Sequence, residues 1–161
     1  MIANPAAQSG AGAAAADKAA ANLRAALGED AVTVARTAGP RHACAIAEGA
    51  QGAQTVVALG GDGLIHEVVN GLMMRPAGDC PQLGVIPVGS GNDYARTLGV
   101  PAKVDRACDL LLSASSQPAD VGRVNGSFFA ETLSFGLDAA IALDTMERRK
   151  RTGRHGAALY M

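Results

Sequence analysis

The stretch Thr55-Val56-Val57-Ala58-Leu59-Gly60-Gly61-Asp62-Gly63-Leu64-Ile65-His66-Glu67-Val68-Val69-Asn70-Gly71-Leu72 decides how this chain folds. Residues 55–59 form a near-continuous apolar run, as expected of a strand buried on both faces of a parallel sheet. The run ends on two glycines, an aspartate and a third glycine. A helical stripe of Leu64, Ile65, Val68, Val69 and Leu72 then begins at once, with His66, Glu67 and Asn70 on the opposite side. Strand, glycine-rich turn and helix in succession leave unpaired backbone N–H groups at a helix N-terminus, where phosphate is readily held. Asp62 complicates that reading. A carboxylate repels phosphate unless a cation lies between them or the carboxylate handles a proton, and the combination points to phosphoryl transfer.

The same alternation extends in both directions. Met1 to Ala3 is the tail of a first strand, followed by the turn dipeptide Asn4-Pro5 and a flexible loop over 9–12. The pattern predicts a helix over 13–27 stopped by Gly28, a strand over 31–35, a turn over 37–40 and a helix over 41–50. After the central helix, predicted over 63–73, come a loop over 75–81 and a strand over 83–87. That strand runs into a second glycine-rich loop, Val88-Gly89-Ser90-Gly91-Asn92-Asp93. Short helices over 94–98 and 104–112 follow. The period then changes. Runs over 119–124 and 127–133 flank Asn125-Gly126, a strong hairpin signal. The fold expected is α/β, a doubly wound and mostly parallel sheet with helices on both faces, followed by the start of an antiparallel β-rich second domain. The boundary is read near Arg123, giving domains of 1–123 and 124–161, the second incomplete.

Composition narrows the function. The chain has 161 residues and a formal net charge of −1, from 14 basic and 15 acidic side chains. That balance gives no reason to invoke nucleic acid. Arg148-Arg149-Lys150-Arg151 reads as a solvated helix end. The three cysteines, Cys44, Cys80 and Cys108, are odd in number and lack metal-ligand spacing. They fit a reducing cytosol rather than a disulfide framework or zinc site, with Cys44 and Cys108 as small core residues. No signal peptide and no transmembrane run is visible, so a lipid substrate would be met at the bilayer surface. Alanine dominates the first fifty residues, so helix assignments there rest partly on propensity.

In an open parallel sheet the two glycine-rich loops lie along one carboxyl edge, where ligands bind. Each carries an aspartate in a matching position, Asp62 and Asp93. Both also suit a helix N-cap, and the two roles are compatible if one oxygen caps while the other faces the site. Asn4 reads as turn chemistry or as a hydrogen-bonding group at the same edge. Thr37 reads as an N-cap or as a lining residue there. For His66, Glu67 and Asn70 a solvated helix face competes with a functional one.

Taken together, several motifs resemble the catalytic domain of the diacylglycerol kinase and sphingosine kinase superfamily, in its bacterial lipid kinase form. These are Gly60-Gly61-Asp62-Gly63 with Glu67-Val68-Val69-Asn70-Gly71-Leu72, and then Ile86-Pro87-Val88-Gly89-Ser90-Gly91-Asn92-Asp93-Tyr94-Ala95-Arg96. Asn4-Pro5, Asp120 with Gly122-Arg123-Val124-Asn125-Gly126, and Phe135-Gly136-Leu137-Asp138-Ala139 fit in order, so the resemblance spans essentially the whole chain. It implies ATP-dependent phosphorylation of a lipid hydroxyl with Mg²⁺, by a cytoplasmic protein peripheral to the membrane, with a homodimer allowed. Carried over, Gly60, Gly61 and Gly63 approach the phosphates. Asn4, Thr37, Gly89, Ser90 and Asn92 line the nucleotide site, and Glu67 supports it. Asp62, Asp93 and Asp120 are the implied catalytic residues, organising Mg²⁺, water and the acceptor hydroxyl, with Asp62 and Asp93 on the metal directly or through water.

The chain departs from the family pattern in places. Gln8 stands where a small residue is usual, Ser90 replaces threonine and keeps the hydroxyl, and Leu64 and His66 differ from most bacterial lipid kinases. The stretch around His66 is closer to sphingosine kinases and that around Tyr94 to diacylglycerol kinases. A sphingoid-base or other membrane-alcohol kinase is therefore the alternative, and a catalytically inactive nucleotide-binding module is another. The family's β-rich domain, with the acidic residue proposed there as general base, would lie beyond Met161. The expectation is an N-terminal fragment, with little or no kinase activity on its own.

Overall fold

The structure is a computed structural model that describes residues 1–152. Its strands are β1 (Ile2–Ala3), β2 (Ala35–Arg36), β3 (Thr55–Gly60), β4 (Gln82–Pro87), β5 (Gly122–Val124) and β6 (Ser127–Phe129). Its helices are α1 (Ala11–Leu27), α2 (His42–Glu48), α3 (Asp62–Met73), α4 (Asp93–Thr97), α5 (Val104–Ser113) and α6 (Leu137–Thr152). Contacts divide the chain after Ala130: Met1–Ala130 is one compact unit, and a second begins at Glu131 and contains α6.

In the first unit, β1 to β4 form an all-parallel sheet in the order β2-β1-β3-β4. Alternation along the strands sends side chains to two cores. Ile2, Val56, Ala58 and Val85 face one, with α2, α3 and the start of α4. Ala3, Val57, Leu59 and Ile86 face the other, with α1 and α5. The sheet is therefore doubly wound, as the near-continuous apolar strands required. Many of the buried helix residues are alanines, among them Ala16, Ala19, Ala43 and Ala47. Small side chains there let helix and sheet backbones approach closely, so the alanine-rich composition serves packing as well as propensity.

Helices α2 and α3 pack tightly against each other. Gly71 is buried on α3, and a Cβ there would collide with the Cys44 carbonyl oxygen and lie 2.8 Å from the Ala47 side chain. A buried arginine holds the far end of this pair. Arg75 donates to the Glu48 carbonyl at 2.7 Å, to the Asp79 carbonyl at 2.6 Å and to the Asp79 carboxylate at 2.8 Å. The loop expected over 75–81 is thus tied to the end of α2 by an arginine whose side chain is 2 % exposed.

Sequence and structure differ at β2. A strand over 31–35 was expected; instead Glu29–Ala31 forms a 3-10 turn and pairing is confined to Ala35 and Arg36. The cause is the partner. β1 offers only Ile2 and Ala3 for pairing, so the ladder ends after two residues whatever the propensity of β2. The hairpin signal at Asn125-Gly126 holds: both residues have positive φ (48° and 83°), as a two-residue type I′ turn requires, and β5 and β6 pair antiparallel.

Substitution of Gly71 by alanine is expected to lower stability by about 1–3 kcal/mol, the usual cost of overpacking against groups that cannot move aside. The urea midpoint of the variant measures this, with Gly63→Ala, on the same helix and with nothing within 4 Å of its Cβ, as the comparison without overpacking.

Candidate functional site

Strand order reverses between β1 and β3, the topological switch point at which open α/β sheets bind ligands beyond the carboxyl ends of their strands. Three loops meet there. The first follows β1. The Asn4 N–H donates to the Leu59 carbonyl at 3.2 Å, and its side-chain oxygen accepts from the Ala6 N–H at 3.0 Å. The start of α1 presses onto this turn, since a Cβ on the buried Gly12 would collide with the Asn4 carbonyl.

The second and third loops follow β3 and β4, and they touch backbone to backbone. A Cβ on Gly61 would lie 3.0 Å from Gly89 Cα, and one on Gly89 would collide with Gly61 Cα. Asn92 fixes the third loop by a reciprocal pair: its side-chain oxygen accepts from the Gly89 N–H at 2.7 Å and its amide donates to the Gly89 carbonyl at 2.9 Å. Gly63 opens onto free space, with nothing within 4 Å of a Cβ built on it.

Asp62 joins these loops. It is the first residue of α3, yet it does not cap its own helix, whose N-cap is Gly61. One carboxylate oxygen accepts instead from the Tyr94 N–H at 3.1 Å, so Asp62 caps α4 across the gap. Its other oxygen and one from Asp93 each lie 3.0 Å from the same point, a Cβ built on Gly91. Two carboxylates thus converge over one glycine. Asp93 is ion-paired with Arg96, which also donates to the Gly91 carbonyl at 2.9 Å. Among the described residues no three His, Cys, Asp or Glu side chains gather to hold a metal. Two carboxylates suit a hard divalent cation that keeps several waters and takes its remaining ligands from phosphate.

The other expected residues sit around this edge. Thr37 directly follows β2, where its N–H donates to the Ala3 carbonyl at 2.9 Å; it does not cap α2, whose N-cap is Arg41. Glu67 does that work from α3, one oxygen accepting from the Arg41 N–H at 2.9 Å and the other from the Ala43 N–H at 3.1 Å. A carboxylate spanning two orphan N–H groups at a helix start is favourable in both hydrogen bonding and dipole. Glu67 is therefore not a free solvated face, and neither is Asn70, whose side chain bonds the Phe128 backbone. Ser90 is exposed on the third loop, and Asp120 is exposed in the irregular stretch ahead of β5.

Gln8 was legible only as a departure from pattern. Its side-chain amide donates to the Gly89 carbonyl at 2.8 Å, a bond across 81 residues that links the first loop to the third over the end of β3. The residues around it are strained, with Gln8 and Ser9 both at positive φ (46° and 58°). The cysteines stay apart from the site as three free thiols, and burial pushes the thiols of Cys108 and Cys44 up.

Because Asp62 caps α4 with an oxygen that asparagine retains, Asp62→Asn is expected to keep the native denaturation midpoint. Asp62→Ala should lose about 0.5–2 kcal/mol, the ordinary value of a cap. Parallel urea titrations of the two variants check the difference.

Comparison with known proteins agrees with this geometry. Residues 1–124 match the family described as the diacylglycerol kinase catalytic domain. The chain is 42% identical over 96 residues to a diacylglycerol kinase of Bacillus subtilis (strain 168), covering 59% of this chain and 31% of that protein. It is 35% identical over 95 residues to that of Staphylococcus aureus (strain Newman), covering 59% of this chain and 30% of the other. Among solved structures it superposes on a putative diacylglycerol kinase from Bacillus anthracis str. Sterne with a TM-score of 0.71 and 32% identity, over 80% of this chain and 45% of that one. These matches span under a third of the two relatives and under half of the solved chain. With its sheet order, its paired glycine loops and a family match over most of its length, this chain belongs to the diacylglycerol kinase catalytic domain family.

Proposed function

We propose that this chain is the nucleotide-binding part of an ATP-dependent lipid kinase that transfers the γ-phosphoryl group of ATP to a lipid hydroxyl, with diacylglycerol as the acceptor class. The observation that carries the reading is the convergence of Asp62 and Asp93 over Gly91, beside two glycine loops packed backbone to backbone at the switch point of the sheet. Bound ATP and Mg²⁺ supply the phosphoryl group and the charge neutralisation its transfer needs.

The chain's own residues divide the remaining work. Gly60, Gly61 and Gly63 keep side-chain atoms away from the phosphates. Asn4, Thr37, Gly89, Ser90 and Asn92 line the nucleotide, and Glu67 holds the loop after β2 by capping α2. Asp62 caps α4 with one oxygen and offers the other, with Asp93, to the metal or its waters. Asp120 serves the acceptor hydroxyl, from the stretch that leads into the β5–β6 hairpin. The β5–β6 hairpin packs within the first compact unit, and a β-rich acceptor-binding domain follows it in the chain. No helix among the described residues is long and apolar enough to cross a membrane. In this reading the acceptor, a lipid, is met at the membrane surface from the cytoplasm.

The test is transfer of label from radiolabelled ATP to a panel of lipid alcohols by the full-length protein. Diacylglycerol is expected to accept it, sphingoid bases far less, and Asp62→Asn is expected to lower turnover by at least about 10²-fold, the scale of losing a proton-handling or charge-organising group. Near-normal turnover of that variant would reduce Asp62 to a cap for α4, and transfer to sphingoid bases alone would reassign the acceptor.

A further inference from the structure

Asn70 makes a joint that the phosphate chemistry leaves unexplained. It lies on α3 eight residues after Asp62, about 12 Å along the helix axis. Its side-chain oxygen accepts from the Phe128 N–H at 2.9 Å and from the Ser127 hydroxyl at 3.3 Å. Its amide nitrogen donates to the Phe128 carbonyl at 2.9 Å and to the His66 carbonyl at 2.8 Å. One carboxamide therefore engages both main-chain groups of a strand residue, as a neighbouring strand would.

The hairpin register explains why those groups are available. The tight turn closes on Val124 and Ser127, so Arg123 and Phe128 form the next, non-hydrogen-bonded pair, and the polar groups of Phe128 point to the hairpin's free edge. Asn70 takes that edge, while Phe128, Val121 and Ala130 pack against the core on the α3 face of the sheet. Asp120 stands two residues before the first residue of β5. Helix α3 is thus one rigid piece with Asp62 at its start and the hairpin anchor two turns on.

We propose that Asn70 is a positioning residue for phosphoryl transfer: by docking the β5–β6 hairpin on α3 it fixes Asp120 relative to Asp62. This rests on the reading that those two aspartates serve the transfer. Asn70 itself touches neither nucleotide nor acceptor in this assignment. Its loss should therefore lower kcat while leaving nucleotide affinity in place, because the glycine loops and Asp62 lie at the other end of the helix.

Asn70→Ala and Asn70→Asp in the full-length protein test this. Each is expected to lower kcat by about 10- to 100-fold, the effect of a displacement on the order of 1 Å, with the dissociation constant for ATP within about twofold of wild type. Amide exchange at Phe128 should speed up in both variants, in Asn70→Asp because its carboxylate repels the Phe128 and His66 carbonyls that the amide bonded, and exchange at Val88 should not. Asn70→Asp keeps the acceptor for the Phe128 N–H, and decides the matter if the alanine variant does not fold. Full kcat in a variant whose Phe128 exchange has risen overturns the proposal. So does a loss of ATP binding that parallels the loss of kcat, which would make Asn70 a general support of the fold. If wild type binds no ATP and transfers no phosphate, it is the lipid kinase reading that fails, whereas wild-type transfer with indifferent Asn70 variants leaves that reading standing and removes this one.

Discussion

The contact between Gly61 and Gly89 is the constraint on which the rest of the site depends. Each glycine ends the turn of a neighbouring strand, and the two backbones meet where any Cβ would intrude. This closeness lets Asp62 reach across to the start of α4, and Asn92 can then lock the Gly89 peptide from its other side. Side chains at either glycine would force the turns apart and leave the Tyr94 N–H without its carboxylate. The apposition in turn rests on the β3–β4 ladder, a six-residue parallel register from Thr55–Gln82 to Gly60–Pro87 that delivers both turns at the same height.

Charge is placed sparingly around that contact. Asp62 has one oxygen committed to a backbone N–H and Asp93 is committed to Arg96, so the paired carboxylates are each partly compensated before any cation arrives. Glu67 is fully engaged at the start of α2. Asp62 and Glu67 therefore perform structural work of the same kind, each satisfying the start of a helix other than its own, while Asp93 pairs with Arg96 within α4. Structural and chemical roles coincide in Asp62 because a carboxylate has two oxygens.

Much of the fold was legible because it is written in local pattern. The apolar runs of β3 and β4, the stripe of α3, the stop at Gly28 and the turn at Asn125-Gly126 each carry their own signal within a few residues. The two glycine loops were legible for the same reason. What stayed hidden was the choice of distant partner. Asp62 read as a cap of its own helix or a site residue and caps another helix; Asn70 read as a solvated or a functional face and carries a hairpin; Arg75 read as loop and is buried. In each case the residue type announced a capacity to hydrogen-bond, but a partner that ties distant elements together lies between 27 and 58 residues away and leaves no periodic trace. The short β2 failed differently, since its length is set by what β1 can pair with.

A site built by leaving atoms out has an evolutionary consequence. At Gly61 and Gly89 every substitution adds volume, so change there has one direction and it is toward loss. Such positions cannot be tuned by degrees. Variation in affinity or selectivity must come from the rim, where side chains can lengthen, shorten or exchange one polar group for another without moving the backbone. Gln8, exposed and bridging two loops through a single hydrogen bond, is the kind of position at which descendants of this chain can diverge while the turns beneath stay as they are.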